Sequence, residues 1–320
     1  MHYDVFNGDA DGIIALLQLR LAEPKASQLI TGVKRDIKLL EQVVAQGKAT
    51  SVTALDISME KNMTALQALL AEQVDVFYCD HHRAGDIPQS EHLRAVIDLD
   101  AEVCTSLLIN AQLKGQFVHW AIAGAFGDNL ISTAERLAET QRLSAEDTAY
   151  LKELGTLINY NGYGSSLEDL YIPPAALFQQ LLNYPSPFVL RDDNDSPYYL
   201  LKQGYAQDHV NLDALAPIHD DHISRVFELP CEPWARRTSG VFGNELANQS
   251  PEKAHAVLTL NANQADYTVS VRAPLANRTG ADEVCTQFAT GGGRKAAAGI
   301  NALPLADKYL FIETLNQFYS

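Results

Sequence analysis

Asp9-Ala10-Asp11-Gly12, Asp56, Asp80-His81-His82 and Asp128 are the residues of this 320-residue sequence whose types and spacing could do chemistry together. Asp9 and Asp11 are two apart, so in extended backbone their carboxylates point the same way. Two carboxylates on one edge, a third that can bridge and an imidazole make a mixed oxygen and nitrogen ligand set. Such a set suits manganese or magnesium rather than a thiolate zinc site. Two divalent ions about 3.5–4 Å apart can activate a bridging hydroxide and stabilise the oxygens of an in-line displacement at phosphorus. Each piece also has a plainer reading. Asp-x-Asp-Gly is often a turn whose second aspartate caps a helix, and it is not an EF-hand loop here because Ile13 stands where a further ligand is required. A lone aspartate after a strand is usually a loop residue, and paired histidines can be ordinary surface groups. What sets these residues apart is their joint occurrence, in order, at predicted strand ends.

For these groups to meet, the elements before them must deliver them to one edge. Apolar runs at residues 3–7, 28–33, 52–57, 74–79 and 95–99 read as strands, and helical patterns at 12–21, 37–44 and 61–70 alternate with them. That alternation predicts βαβ units and a mostly parallel sheet. In such a sheet ligands collect at the carboxyl ends of the strands, where the first, third and fourth runs end in these aspartates. Residues 105–159 read as helical. The stretch 162–223 holds Pro173, Pro174, Pro185, Pro187, Pro197 and an acidic run at 191–195, and it reads as the end of one domain plus a connector. Further on, strands are expected at 256–260 and 267–272, a helix at 282–288, then a glycine run, then an amphipathic helix at 306–318. The sequence thus divides into a larger catalytic domain over 1–190, a connector over 191–229 and a smaller α/β domain over 230–320.

The formal net charge is -16. Residues 230–320 carry eight basic and eight acidic residues, so the whole excess lies in the first 229. So acidic a surface repels a long polyanion, which argues against duplex DNA as a partner. It leaves room for a small phosphorylated molecule whose charge metals and a few arginines offset. Cys79, Cys104, Cys231 and Cys285 have neither metal-ligand nor disulfide-framework spacing. With no basic, apolar leader and no run of about 18 apolar residues, the expected setting is cytoplasmic and not membrane-bound.

The four ordered motifs resemble those of the DHH phosphoesterases, in the branch that carries a DHH-associated C-terminal domain; the likeness covers most of residues 3–130 and about 256–300. The resemblance implies that Asp9 holds one metal, that Asp11, His81 and Asp128 hold the other, and that Asp56 bridges them. It implies two manganese ions, with magnesium as a substitute. His82 would face the substrate and Asp80 would orient the histidines. Ser106 lies where the family often has a substrate-side residue, although a helix cap is at least as good a reading. One departure stands out: the family's first motif has a histidine before the first aspartate, and here the stretch is Val5-Phe6-Asn7. Asn7 could ligate weakly or a water could fill the place, so the first ion is expected to bind more weakly.

Gly291-Gly292-Gly293-Arg294 resembles the associated domain's glycine-rich substrate motif, and Arg272 matches its strand arginine; Arg278 is a weaker candidate. Glycines let backbone N–H groups approach a phosphate closely. Neither a Walker loop nor a complete Rossmann unit accounts for the run, and the plain alternative is a tight turn of small residues. Together the resemblances imply a phosphodiesterase acting on short nucleotides, foremost linear dinucleotides such as pGpG or short oligoribonucleotides, with substrate held between the two domains. Inorganic pyrophosphatase, cyclic-dinucleotide phosphodiesterase and a non-catalytic nucleotide sensor remain alternatives, and a homodimer stays open. His219-Asp220-Asp221-His222 also looks like a metal cluster, but it matches no family motif and reads as a solvated acidic stretch.

Overall fold

The computed structural model describes residues 1–320, and the chain divides into two compact units, Met1–Gly204 and Tyr205–Ser320. The first begins β1 (His2–Phe6), α1 (Ala10–Ala22), β2 (Gln28–Ile30), α2 (Leu40–Gln46), β3 (Ser51–Leu55), α3 (Met59–Ala71), β4 (Asp75–Asp80) and β5 (Leu93–Ile97). All five expected strands form, and all pair in parallel in the order β2-β1-β3-β4-β5. Because β1 hands the chain to β2 on one side and β3 leads to β4 on the other, the strand order reverses between β1 and β3. That reversal opens a crevice at their carboxyl ends. The register makes those ends level: Phe6 pairs with Leu55 and Leu55 with Cys79. Asn7 N–H then donates to Leu55 and Asp56 N–H to Cys79, one residue beyond each strand.

Burial explains the residue choice. β1 is buried along its whole length, and Tyr3, Val5, Val52, Ala54, Val76 and Tyr78 pack with Leu40, Val43, Leu66 and Leu69 of α2 and α3. The other face is covered by α1, whose residues from Ala10 to Gln18 are all buried. Around it stand α4 (Thr105–Gln112), α5 (Val118–Gly127) and α7 (Ala145–Gly162), with α6 (Ile131–Thr140) beyond α5. The expected helical stretch is therefore four helices. α1, α5 and α7 meet closely at Gly127, where a Cβ would lie 2.4 Å from that of Ala10 and 2.8 Å from the carbonyl oxygen of Gly155.

The stretch read as the end of the first domain plus a connector is helical: α8 (Pro174–Leu181), α9 (Pro187–Arg191) and α10 (Pro197–Asp213). Pro174 and Pro187 stand in the first turns of their helices and Pro197 opens the third, a place where a missing N–H costs nothing. The boundary between the units falls within α10.

The second unit continues with β6 (His219–Asp220), β7 (Ser224–Leu229), α11 (Pro233–Gln249), β8 (Ala254–Leu260), β9 (Asp266–Arg272), α12 (Ala281–Cys285), β10 (Gly291–Gly293), β11 (Ala297–Pro304) and α13 (Lys308–Tyr319). Its mixed sheet runs β10-β11-β9-β8-β7-β6, with only β7 and β8 parallel, joined across α11. The glycine run is thus an edge strand followed by a turn. No helix of the chain is long and apolar enough to cross a membrane.

Candidate metal centre

The crevice between β1 and β3 gathers the sequence-predicted residues. Asp9 and Asp11 lie at the start of α1, Asp56 directly after β3, Asp80 at the last position of β4 with His81 and His82 following, and Asp128 at the end of α5. All but His82 and Asp128 have under 7% of their surface exposed. Asp56 sits in the left-handed backbone region, at φ 56°, which aspartate tolerates better than most residues. Asp56, His81 and His82 each offer a ligand atom within 4.8 Å of the others.

His81 is the hub. Its Nε2 stands 3.4 Å from Asp56 Oδ1 and 3.8 Å from Asp11 Oδ2 and from Asp128 Oδ2. Its Nδ1–H donates to the carbonyl of Val103 at 2.8 Å, which fixes the tautomer and leaves the Nε2 lone pair facing the carboxylates. Asp11 is oriented by the start of α4, where the N–H groups of Thr105 and Ser106 each donate to it at 2.7 Å. Thr105 Oγ1–H donates to Asp56 at 3.2 Å. Ser106 itself is buried, with its hydroxyl 3.3 Å from Cys104 Sγ and close beneath Gly124. It therefore acts neither on the substrate side nor as the helix cap; its backbone is what reaches the site.

His82 is turned differently. Its Nδ1–H donates to Asp80 Oδ1 at 2.7 Å, and its side chain is 30% exposed. The ring therefore presents Nε2 away from Asp80, held by a fully buried carboxylate.

At Asp9 a side chain not singled out in the sequence enters the site. Lys34 Nζ–H donates to Asp9 Oδ2 at 2.5 Å and to Asn159 Oδ1 at 3.0 Å, with the ammonium 5.3 Å from the centre of the Tyr163 ring. The other oxygen of Asp9 caps α1 by accepting from Gly12 N–H. Asn7 acts as a clip: its amide donates to the Lys34 carbonyl at 3.1 Å and accepts from Asp9 N–H at 3.2 Å. Burial works against ionisation of Asp9, and the charge of Asp128 adds to it, but the charge and hydrogen bond of Lys34 together with the Gly12 N–H hold the pKa below the ordinary carboxylate value. The reverse holds for Asp56. Burial first, then the charges of Asp11, Asp9, Asp80 and Asp128, push its pKa well above the usual range.

This donor set fits a divalent cation. Ligands of one ion, each about 2.1 Å from it, stand roughly 3–4 Å apart, and the distances from His81 fall in that range. Five carboxylates crowd a buried space, and Asp80 Oδ2 is buried there with no hydrogen-bond donor, a cost that nearby positive charge offsets. Asp11, Asp56, His81 and Asp128 are the residues that would hold the ion.

In the second unit, Arg272 lies at the end of β9. It donates from Nε to Asn244 Oδ1 at 2.6 Å, from Nη1 to Ser270 Oγ at 2.9 Å and from Nη2 to the Gly240 carbonyl at 3.2 Å. It thus ties α11 to the sheet. The glycines differ in their reasons. A Cβ on Gly291 would meet the Cys285 carbonyl oxygen at 1.8 Å, and Gly293 has φ 144° against Ala298. Gly292 faces open space, and Arg294 in the following turn is exposed. The His219 cluster is a braced turn. Asp220 pairs with Arg225 and Lys253, while Asp221 accepts from Ile223 N–H and Ser224 N–H and from Asn316.

No protein-family model matches this sequence, and no curated protein does. Solved structures do. An exonuclease RecJ bound to manganese aligns over 99% of this chain and 89% of its own, with a TM-score of 0.61 at 17% identity. The pGpG-specific phosphodiesterase PggH from Vibrio cholerae aligns over 99% and 100%, with 0.57 at 12%. The chain shares the two-unit α/β fold of these proteins. An exopolyphosphatase-related protein from Bacteroides fragilis shares it as well, over 99% and 92%, with 0.52 at 12%. At these identities what the three proteins share with this chain is architecture.

Proposed function

We propose that this chain is a divalent-cation-dependent phosphoesterase that hydrolyses short phosphorylated nucleotides, linear dinucleotides such as pGpG foremost. The observation that carries the reading is the convergence of Asp11, Asp56 and Asp128 on the Nε2 of His81, beside a histidine held by its own carboxylate. A divalent cation bound there, manganese or magnesium, supplies Lewis acidity toward a phosphoryl oxygen and makes water nucleophilic near neutral pH. The chain supplies the rest. His81 and Asp11 are locked by Val103 and by the start of α4, so the ligand set is preorganised. His82, oriented by Asp80, presents Nε2 to stabilise charge on the substrate or to protonate the leaving oxygen. Gly292 and Arg294 are proposed to meet the nucleotide, Gly292 because nothing in its packing requires a glycine.

Structural likeness to a phosphodiesterase named for pGpG and to a manganese-bound exonuclease supports the substrate class. The net charge of -16 favours a small substrate over a long strand. The test is product release from 5′-phosphorylated dinucleotides with manganese and with chelator, beside pyrophosphate, a cyclic dinucleotide and a 20-mer. Chelator-sensitive release of mononucleotides from the dinucleotides alone is expected. Turnover of only pyrophosphate or only the cyclic dinucleotide would replace the substrate class. Lys34 on Asp9 favours one second reading, a nucleotide sensor without turnover, which binding without hydrolysis at saturating manganese would establish.

A further inference from the structure

We infer that the ammonium of Lys34 stands in place of one divalent ion, so that the centre takes a single exchangeable cation, at Asp11, Asp56, His81 and Asp128. This rests on the reading of that cluster as a cation site.

Both oxygens of Asp9 are committed, one to Lys34 and one to the cap of α1. The ammonium is received by a built pocket: Asp9 Oδ2, Asn159 Oδ1 and the ring of Tyr163 surround it, and Asn159 is itself buried. The backbone of Lys34 is fastened at both its N–H and its carbonyl. Its N–H donates to the Gly162 carbonyl at 2.8 Å and its carbonyl accepts from Asn7. Asn7 occupies the position before the first aspartate motif and is consumed in holding Lys34 and Asp9 together. The side-chain amide makes both contacts at once, donating to the Lys34 carbonyl and accepting from Asp9 N–H. The asparagine and the lysine therefore form one device. It neutralises Asp9 with a charge that belongs to the chain, and it leaves the His81 side of the crevice for a metal.

The experiment counts ions without reference to turnover. Manganese binding is measured by equilibrium dialysis and calorimetry, and the bound ion is examined by electron paramagnetic resonance. The proteins are the full chain, Lys34→Met, and a double variant, Asn7→His with Lys34→Ala, each checked for folding by circular dichroism. The expected result is one manganese per wild-type chain with the six-line spectrum of an isolated ion, and a second ion with a spin-coupled spectrum in the double variant. Two ions per wild-type chain would overturn the inference while leaving the cation site intact. One ion in the wild type and still one in both variants would also overturn it, because Lys34 would not be what excludes the second. No manganese bound by any of them would remove the cation reading itself.

Discussion

The Nδ1–H of His82 donates to Oδ1 of Asp80 over 2.7 Å, and Asp80 has no exposed surface at all. A carboxylate so placed decides which ring nitrogen carries the proton and where the other one points. Replacing it with an amide of equal size leaves the packing and changes the tautomer.

Asp80→Asn is therefore expected to lower kcat about 10²- to 10⁴-fold, the range of a lost general acid or base, with little change in KM or in manganese binding. A kcat within a few-fold of wild type would show that the pair does not take part in the reaction.

Asp56 is the carboxylate most burdened by its neighbours. Asparagine keeps the left-handed backbone that the position adopts and removes the charge. In chelator, Asp56→Asn should be more stable than wild type by about 1–2 kcal/mol, seen as a rise of a few degrees in Tm. With manganese the order should reverse, because the wild type gains from the ion and the variant does not. A fall in Tm under both conditions would mean that the crowding of carboxylates stores no repulsion.

Far from the crevice, Asp4 on β1 is buried with Arg20 of α1, accepting from Nε at 2.8 Å and from Ser27 Oγ at 2.6 Å. Burial alone would raise its pKa; Arg20, then His2, then Ser27 bring it down to about 2 from 3.8. A folded value below the unfolded one stabilises the protein above the unfolded pKa, and that stability is lost as pH falls toward 2. The contribution is about 2–3 kcal/mol. Denaturant midpoints of wild type and Asp4→Asn should therefore differ at pH 7 and converge near pH 2. Arg20→Met, which strands the carboxylate, should cost about 3–5 kcal/mol at pH 7. Parallel curves at all pH values would show that the pair contributes nothing specific.

Two glycine-to-alanine changes should behave oppositely. At Gly127 the added methyl collides with Ala10 and Gly155, so a loss of about 1–3 kcal/mol is expected. Weaker manganese binding should accompany it, since Asp128 is the next residue. At Gly292 the methyl meets nothing, so Tm should stay within about a degree while KM for a dinucleotide rises. An unchanged KM would take Gly292 out of the substrate contacts.

The strand-end aspartates and the two histidines were legible in the sequence because apolar runs mark the strands, and strand ends in a parallel sheet share an edge. The groups that orient them were not. The Val103 carbonyl and the Thr105 and Ser106 N–H groups are backbone, which every residue carries. Lys34 follows β2 in an ordinary polar loop, with no local signal that its side chain crosses to Asp9. The absence of a motif-one histidine was visible, but the residue that takes its place lies 27 positions beyond Asn7. The helices at 174–213 were not legible, because a proline that breaks a helix and one that begins a helix look alike without the packing behind them. β11 passed unseen because Ala297-Ala298-Gly299 lacks the branched residues that mark strands. α11 has few apolar residues of helical spacing, since its buried face is largely Ala, Thr, Ser and Gly.

Lys34 is made with the chain, whereas a metal must be captured from the surroundings. A centre needing two exchangeable ions fills, when metal is scarce, as the square of its free concentration; a centre needing one fills in simple proportion. With a lysine fixed on Asp9, the centre would fill at manganese concentrations that leave a site needing two ions empty, and no chelator could strip that part of its charge.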